Sequence, residues 1–137
     1  MSFHAKYERE DSTGWPIKSW NDANKLLSYF GSDNHSSATF TLESGSYVQC
    51  AGAKTRLTVE ARIVKPNGNF VHYVFGIGDR SGKIEEIECS VGPISVDATQ
   101  VLTLRDGRKI IRHFVESGGE LPEGYDVQDV SERFRAV

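Results

Sequence analysis

Between Arg56 and Val91 the chain reads RLTVEARIVKPNGNFVHYVFGIGDRSGKIEEIECSV, and no other stretch restricts its folding as strongly. Leu57, Val59, Ala61 and Ile63 alternate with Thr58, Glu60 and Arg62, the period of a strand with one buried face. Pro66-Asn67-Gly68-Asn69 then supplies a proline that presets φ and an Asn-Gly pair that tolerates positive φ, so the chain reverses into Phe70–Ile77. A second reversal is expected at Asp79-Arg80-Ser81-Gly82. In the next run, Lys83–Val91, Ile84 and Ile87 are three apart whereas Ile87, Cys89 and Val91 are two apart. A bulge near Glu85-Glu86 would return all four to one face. The stretch therefore predicts an antiparallel meander of three strands, one face buried and one wet.

Around it, Phe3, Ala5 and Tyr7 alternate with polar neighbours and predict a strand at a sheet edge, followed by a polar loop from Glu8 to Gly14. Pro16, in Trp15-Pro16-Ile17, has no N–H to give to a ladder or a helix interior. Trp20, Ala23, Leu26, Leu27 and Phe30 keep helical spacing behind Ser19 as N-cap, with Asp22 three residues on and Gly31 as the stop, predicting about three turns. After a loop at Ser32 to Ser37, Ala38–Leu42 and Tyr47–Cys50 read as a hairpin turned at Glu43–Ser46. Val101-Leu102 is expected as a short strand and Thr103 to Ser117 as a second helix, with Ile110, Ile111, Phe114 and Val115 as its apolar stripe and Gly118 closing it. Gly107 inside its first turns fits a close approach to the sheet, or else the helix begins near Arg108. Tyr125, Val127 and Val130 make a last short extended piece. The segment Glu116 to Glu132 carries acidic residues and no Lys or Arg.

A length of 137 residues suits one domain over 1–137, large enough to bury roughly 65–70% of the unfolded chain's surface without metals or disulfides. No run is long enough to span a membrane, and the start MSFHAKYERED has no apolar leader, so the expected location is cytoplasmic. Cys50 and Cys89 stand far apart in strand-like stretches and read as small buried residues; His4, His35, His72 and His113 are scattered singly. No metal and no cofactor is expected. The net charge of -3 speaks against nucleic acid as a direct partner and is compatible with a basic protein partner.

Four groups of residues invite a functional reading. The glycines of Gly76-Ile77-Gly78-Asp79-Arg80-Ser81-Gly82 do not meet the dinucleotide-binding pattern and precede a strand, so a hairpin turn explains them. His72 and Tyr73 with Asp79 could line a small pocket, but no recognisable catalytic set surrounds them, and a core or solvated histidine is the simpler reading. Arg105, Arg108, Lys109 and Arg112 share one side of the second helix, a face that could bind phosphate, but a solvated exterior is the simpler reading because the opposite stripe is the core stripe. Glu85, Glu86 and Glu88, with Asp79, are either a wet sheet face or a surface that meets a partner.

The C-terminal third, in which a short strand leads through Thr103 into a helix ending Phe114-Val115-Glu116-Ser117-Gly118, then Leu121-Pro122 and a final strand, resembles a family of immunity proteins of bacterial polymorphic toxin systems. This is the immunity-protein-one family, often encoded beside deaminase-type toxins. The similarity extends upstream through the Trp20–Phe30 helix, the Phe40–Leu42 and Tyr47–Cys50 hairpin and the meander. At the position where that family carries Trp after the Pro, this chain has Val127. The resemblance implies a cytoplasmic protein without catalytic activity that binds a cognate toxin domain and occludes its active site.

Together these features predict an α+β fold: an antiparallel sheet of five to seven strands with two helices packed on one face. The leading functional expectation is toxin neutralisation through Asp79, Glu85, Glu86 and Glu88. The alternative is a small enzyme or ligand-binding domain with a pocket between sheet and helices.

Overall fold

The computed structural model describes residues 2–10, 12–32 and 35–135. In chain order the strands are β1 (Ser2–Arg9), β2 (Ser12–Ser19), β3 (Ser37–Leu42), β4 (Tyr47–Ala53), β5 (Arg56–Val64), β6 (Phe70–Gly76), β7 (Ile84–Ile87), β8 (Ile94–Asp97) and β9 (Asp126–Asp129). Helix α1 (Trp20–Leu27) follows β2, helix α2 (Leu104–Ser117) follows β8, and short 3-10 turns lie at Ala98–Gln100 and Ser131–Phe134. Seven strands form one antiparallel sheet in the order β2-β1-β3-β4-β5-β6-β9, while β7 and β8 pair apart from it as a two-stranded ribbon. The fold is α+β, with a sheet at the upper end of the expected size.

Both helices cover the same face of that sheet. Ala23, Leu27 and Phe30 from the α1 region and Ile110, Ile111, Phe114 and Val115 from α2 share one buried cluster with Tyr7, Phe40, Val48, Cys50, Leu57, Val59 and Ala61. The apolar alternation of β5 and the stripe of α2 therefore meet as their periods require. Helix α1 is shorter than its pattern suggests. It ends at Leu27, with Ser28 as cap, and Phe30 reaches the core from the turn that follows. Ser19 accepts the Asp22 N–H at 3.3 Å as predicted, but Asp22 reaches back to the N–H of Lys18, one residue beyond the reciprocal box.

Three expectations need correction. The first strand is not at the edge, because β2 pairs outside it and turns much of the supposed loop from Glu8 to Gly14 into ladder. Pro16 faces Lys6 within β2, and an edge strand is where a sheet can hold a residue without an N–H. Next, Lys83–Val91 is not the third strand of the meander: only Ile84–Ile87 is extended, it pairs with β8, and β9 takes the place beside β6. The bulge is not needed, since Ile84 is 64% exposed while Ile87 is buried. The cause lies in the connection. The Asp97 carboxylate accepts the N–H groups of Gly82 (2.7 Å) and Ser81 (3.1 Å), and Thr99 O takes the N–H of Ile77, so the chain is drawn off the sheet where β6 ends. Finally, Cys89 is not a buried strand residue; it lies half-buried in the turn after β7 and donates to Gly92 O, whereas Cys50 is buried in β4 and burial pushes its thiol up to about 12. Both thiols are free.

Some of the predicted loops fall partly outside the described residues: Asp11 in the first, Asp33 and Asn34 in the second. Across the gap between them runs a tether with no sequence signature. The exposed Glu10 carboxylate accepts the N–H and hydroxyl of both Ser36 and Ser37, at 2.8 to 2.9 Å. Partial burial alone would raise its pKa; these donors hold it at about 2. With the folded value depressed, the tether is intact above the ordinary carboxylate range and is lost as pH falls toward 2.

Gly107 lies within α2, which begins at Leu104, so the later start is not adopted. A Cβ there would sit 3.8 Å from Leu57 Cδ1 and 3.9 Å from Val59 Cγ2, ordinary contact distances over the sheet. Gly107→Ala is therefore expected to raise stability by up to about 1 kcal/mol, the helix-propensity difference. Denaturant midpoints check this, and a lowered midpoint would show that the sheet leaves no room for the methyl.

Candidate functional site

The ribbon is built by register. Ile84 pairs with Asp97, Glu85 with Val96, Glu86 with Ser95 and Ile87 with Ile94, so alternation sends Glu85 and Ile87 to one face and Ile84 and Glu86 to the other. On the inner face Ile87 and Val96 are buried, and the Glu85 carboxylate lies 3.1 Å from Arg56 Nη1. Arg56 Nη2 also donates to Glu86 O at 2.9 Å, which fastens the ribbon to the start of β5. On the outer face Glu86 and Ile84 are exposed. Glu88 and Val91, the latter 87% exposed, follow in the turn toward β8, and Asp79 is exposed beside Ile77 in the connection from β6.

Of the four acidic residues singled out from the sequence, Asp79, Glu86 and Glu88 thus face solvent in the segment 77–93, and Glu85 is half-buried in an ion pair. Large apolar side chains are interleaved with them: Ile77, Ile84 and Val91 are all exposed. Beside Ile84 lies a cleft of about 820 Å³ lined by Arg80, Asp97, Gln100, Gln128 and Arg133. Its wall is held by a hydrogen bond from Gln100 to Gln128 (2.7 Å) and by Arg80 Nε at 3.1 Å from Asp126 Oδ2, an ion pair without hydrogen-bond alignment. Asp97 fixes the whole connection. The Thr99 hydroxyl and N–H, with the N–H groups of Ser81 and Gly82, hold its carboxyl well below the usual carboxylate range, so this anchor persists at neutral pH and is lost only as pH falls through that lowered value.

His72, Tyr73 and Asp79 do not converge. His72 pairs with Arg62 on the sheet face away from the helices, Tyr73 pairs with the core residue Ala61 on the opposite face, and Asp79 lies beyond the end of β6. The imidazole is buried, with Nε2 2.7 Å from Glu60 Oε1 and Nδ1 accepting from Arg62 Nε at 3.0 Å. That pairing puts the ring proton on Nε2 and leaves neither nitrogen free for a substrate. Phe134 lies over the ring at 4.3 Å, and Arg62 lies against Phe70 and Phe134, so the group acts as a clasp between the sheet and the C-terminal 3-10 turn.

Arg105, Arg108, Lys109 and Arg112 are not simply a helix exterior. They line a cleft of about 360 Å³ between α2 and α1, whose opposite wall is Trp20 and Asn24. The sequence reading missed the wall because it is created only when the two helices pack. The spacings i, i+3, i+4 and i+7 of the cations and i, i+4 of Trp20 and Asn24 were the available signals.

No protein-family model matches the chain, and no curated protein matches it. No helix among the described residues is long and apolar enough to cross a membrane.

Proposed function

We propose that the chain is an immunity protein, which binds the toxin domain of a bacterial polymorphic toxin system in the cytoplasm and occludes its active site without catalysis of its own. The observation that carries this reading is the segment 77–93, which stands outside the seven-stranded sheet and offers exposed Ile77, Ile84 and Val91 among Asp79, Glu86 and Glu88. Apolar anchors within a charged surround are the composition of a protein-binding surface, and acidic groups suit the basic substrate channel of a toxin that acts on nucleic acid. The resemblance of the C-terminal third to the immunity family points the same way. Glu85 contributes by holding the ribbon against Arg56, and the contact is made by Glu86, Glu88 and Asp79.

Charges at such a surface act first on encounter, where steering accelerates association and salt screens it. The double variant Glu86→Lys, Glu88→Lys is expected to associate with the purified toxin domain about tenfold more slowly at low salt, with a gap that closes as salt rises. Both side chains are exposed, so the melting temperature stays nearly unchanged. Stopped-flow association across salt concentrations, beside a thermal melt, makes the measurement. The toxin domain is sought in the adjacent reading frame, as one that poisons cells only when this chain is absent. An unchanged association rate with a normal melt removes the ribbon from the interface, and a neighbouring frame without such a domain overturns the reading itself.

A further inference from the structure

We propose that the cleft between α1 and α2 binds a phosphate-bearing small molecule, with Arg105, Arg108 and Lys109 as its anion-holding residues. In a chain whose net charge is -3, four cations line one cleft. They occupy i, i+3, i+4 and i+7 of a single helix, a spacing that stacks like charges on one stripe and opposes folding unless something else gains from it.

The acidic residues of α2 do little to neutralise that stripe. Asp106 is turned to other work, accepting the Tyr125 hydroxyl at 3.1 Å and lying 3.4 Å from the Thr103 hydroxyl. Glu116 takes Arg112 Nε at 3.0 Å, and the Arg112 guanidinium also lies 5.6 Å from the centre of the Trp20 ring, which fixes it as a wall of the cleft. The facing wall from α1, Trp20 and Asn24, adds no charge. Arg105, Arg108 and Lys109 are left without an ion pair at N–O distances up to 4.0 Å among the described residues. Arg108 carries the more telling feature: its Nε is buried with no hydrogen-bond acceptor among them. A buried N–H without an acceptor is costly, and a turn of the Arg108 side chain that brings Nε to an anionic oxygen in the cleft supplies the acceptor that the fold does not.

Guanidinium forks match phosphate oxygens two at a time, and a lysine adds a point charge beside them. The volume, about 360 Å³, lies at the low end of small-molecule sites and fits a phosphate or diphosphate group better than a polymer that must be tracked along its backbone. The site is separate from the ribbon surface and goes beyond the toxin-binding reading.

Inorganic pyrophosphate is the probe. Calorimetric titration into the full chain at low ionic strength is expected to show saturable binding, accompanied by a shift of the Trp20 indole resonance. Arg105→Gln with Arg108→Gln should weaken it by about tenfold or more, the loss of one or more hydrogen bonds to a charged group. Lys65→Gln, at the β5–β6 turn, should leave it unchanged, and melts of each variant confirm the fold. No saturable binding, or equal affinity in the double variant and the Lys65 variant, overturns the site. Binding of a short single-stranded RNA that is lost in the double variant, with none of pyrophosphate, overturns the small-molecule assignment in favour of a nucleic-acid surface.

Discussion

Gly52→Ala is expected to destabilise the protein by about 3–5 kcal/mol, combining backbone strain of about 1–3 with overpacking of similar size. Gly52 sits in β4 at φ +128, a conformation that side chains with a Cβ rarely adopt. A Cβ there would also lie 2.4 Å from Arg56 O, 2.7 Å from Ile87 Cγ2 and 2.9 Å from Leu57 Cα. Two of those atoms are backbone of the facing strand and cannot swing aside. The third belongs to the side chain that seats the ribbon, so the substitution also pushes β7 away from β5. Gly68→Ala is the internal reference, because Gly68 has φ +86 but nothing within 4 Å of its absent Cβ. It reports the strain of a positive φ alone, and the excess at Gly52 reports the close approach together with the further strain of φ +128. Urea unfolding of both variants makes the comparison; equal losses would show that β4 and β5 can separate to admit the methyl.

Alternation in Leu57 to Ile63 and the turn at Pro66-Asn67-Gly68-Asn69 were sufficient to place β5 and β6, because each signal is local. The partner of β7 was not local. A short apolar run pairs equally well with either neighbour, and the choice is made by the Asp97 carboxylate on Ser81 and Gly82 and by β9 arriving from fifty residues downstream. In β2 the strand was hidden by Pro16 and by polar residues that an edge tolerates. At the ribbon, plain alternation through Ile84–Ile87 would have put Glu85 with the buried Ile87 and Glu86 with the exposed Ile84. The assumed bulge concealed that division. The cationic stripe on α2 was legible as a stripe, but its facing Trp20 and Asn24 belong to a helix more than eighty residues earlier, and only packing brings them across.

Phe114→Ala is expected to cost about 3–5 kcal/mol, the range for deleting a buried aromatic ring. The side chain is fully buried in the cluster that joins α2 to the sheet, and α2 packs across β1, β3, β4 and β5, so the space it leaves is bounded by strands tied to one another by ladder hydrogen bonds. Such walls relax little, which favours the upper half of the range. Its carbonyl also accepts the N–H of Gly119 beyond the left-handed Gly118 that ends the helix, but that bond is backbone and survives the substitution. The loss therefore measures packing. Arg112→Ala, two residues away, removes an exposed ion pair with Glu116 and the contact with Trp20, and is expected to cost less than about 1 kcal/mol. Chemical denaturation of the two variants under one set of conditions reads the helical phase directly. Comparable losses would mean that α2 is rotated about its axis from the orientation that places Phe114 against the sheet and Arg112 in the cleft.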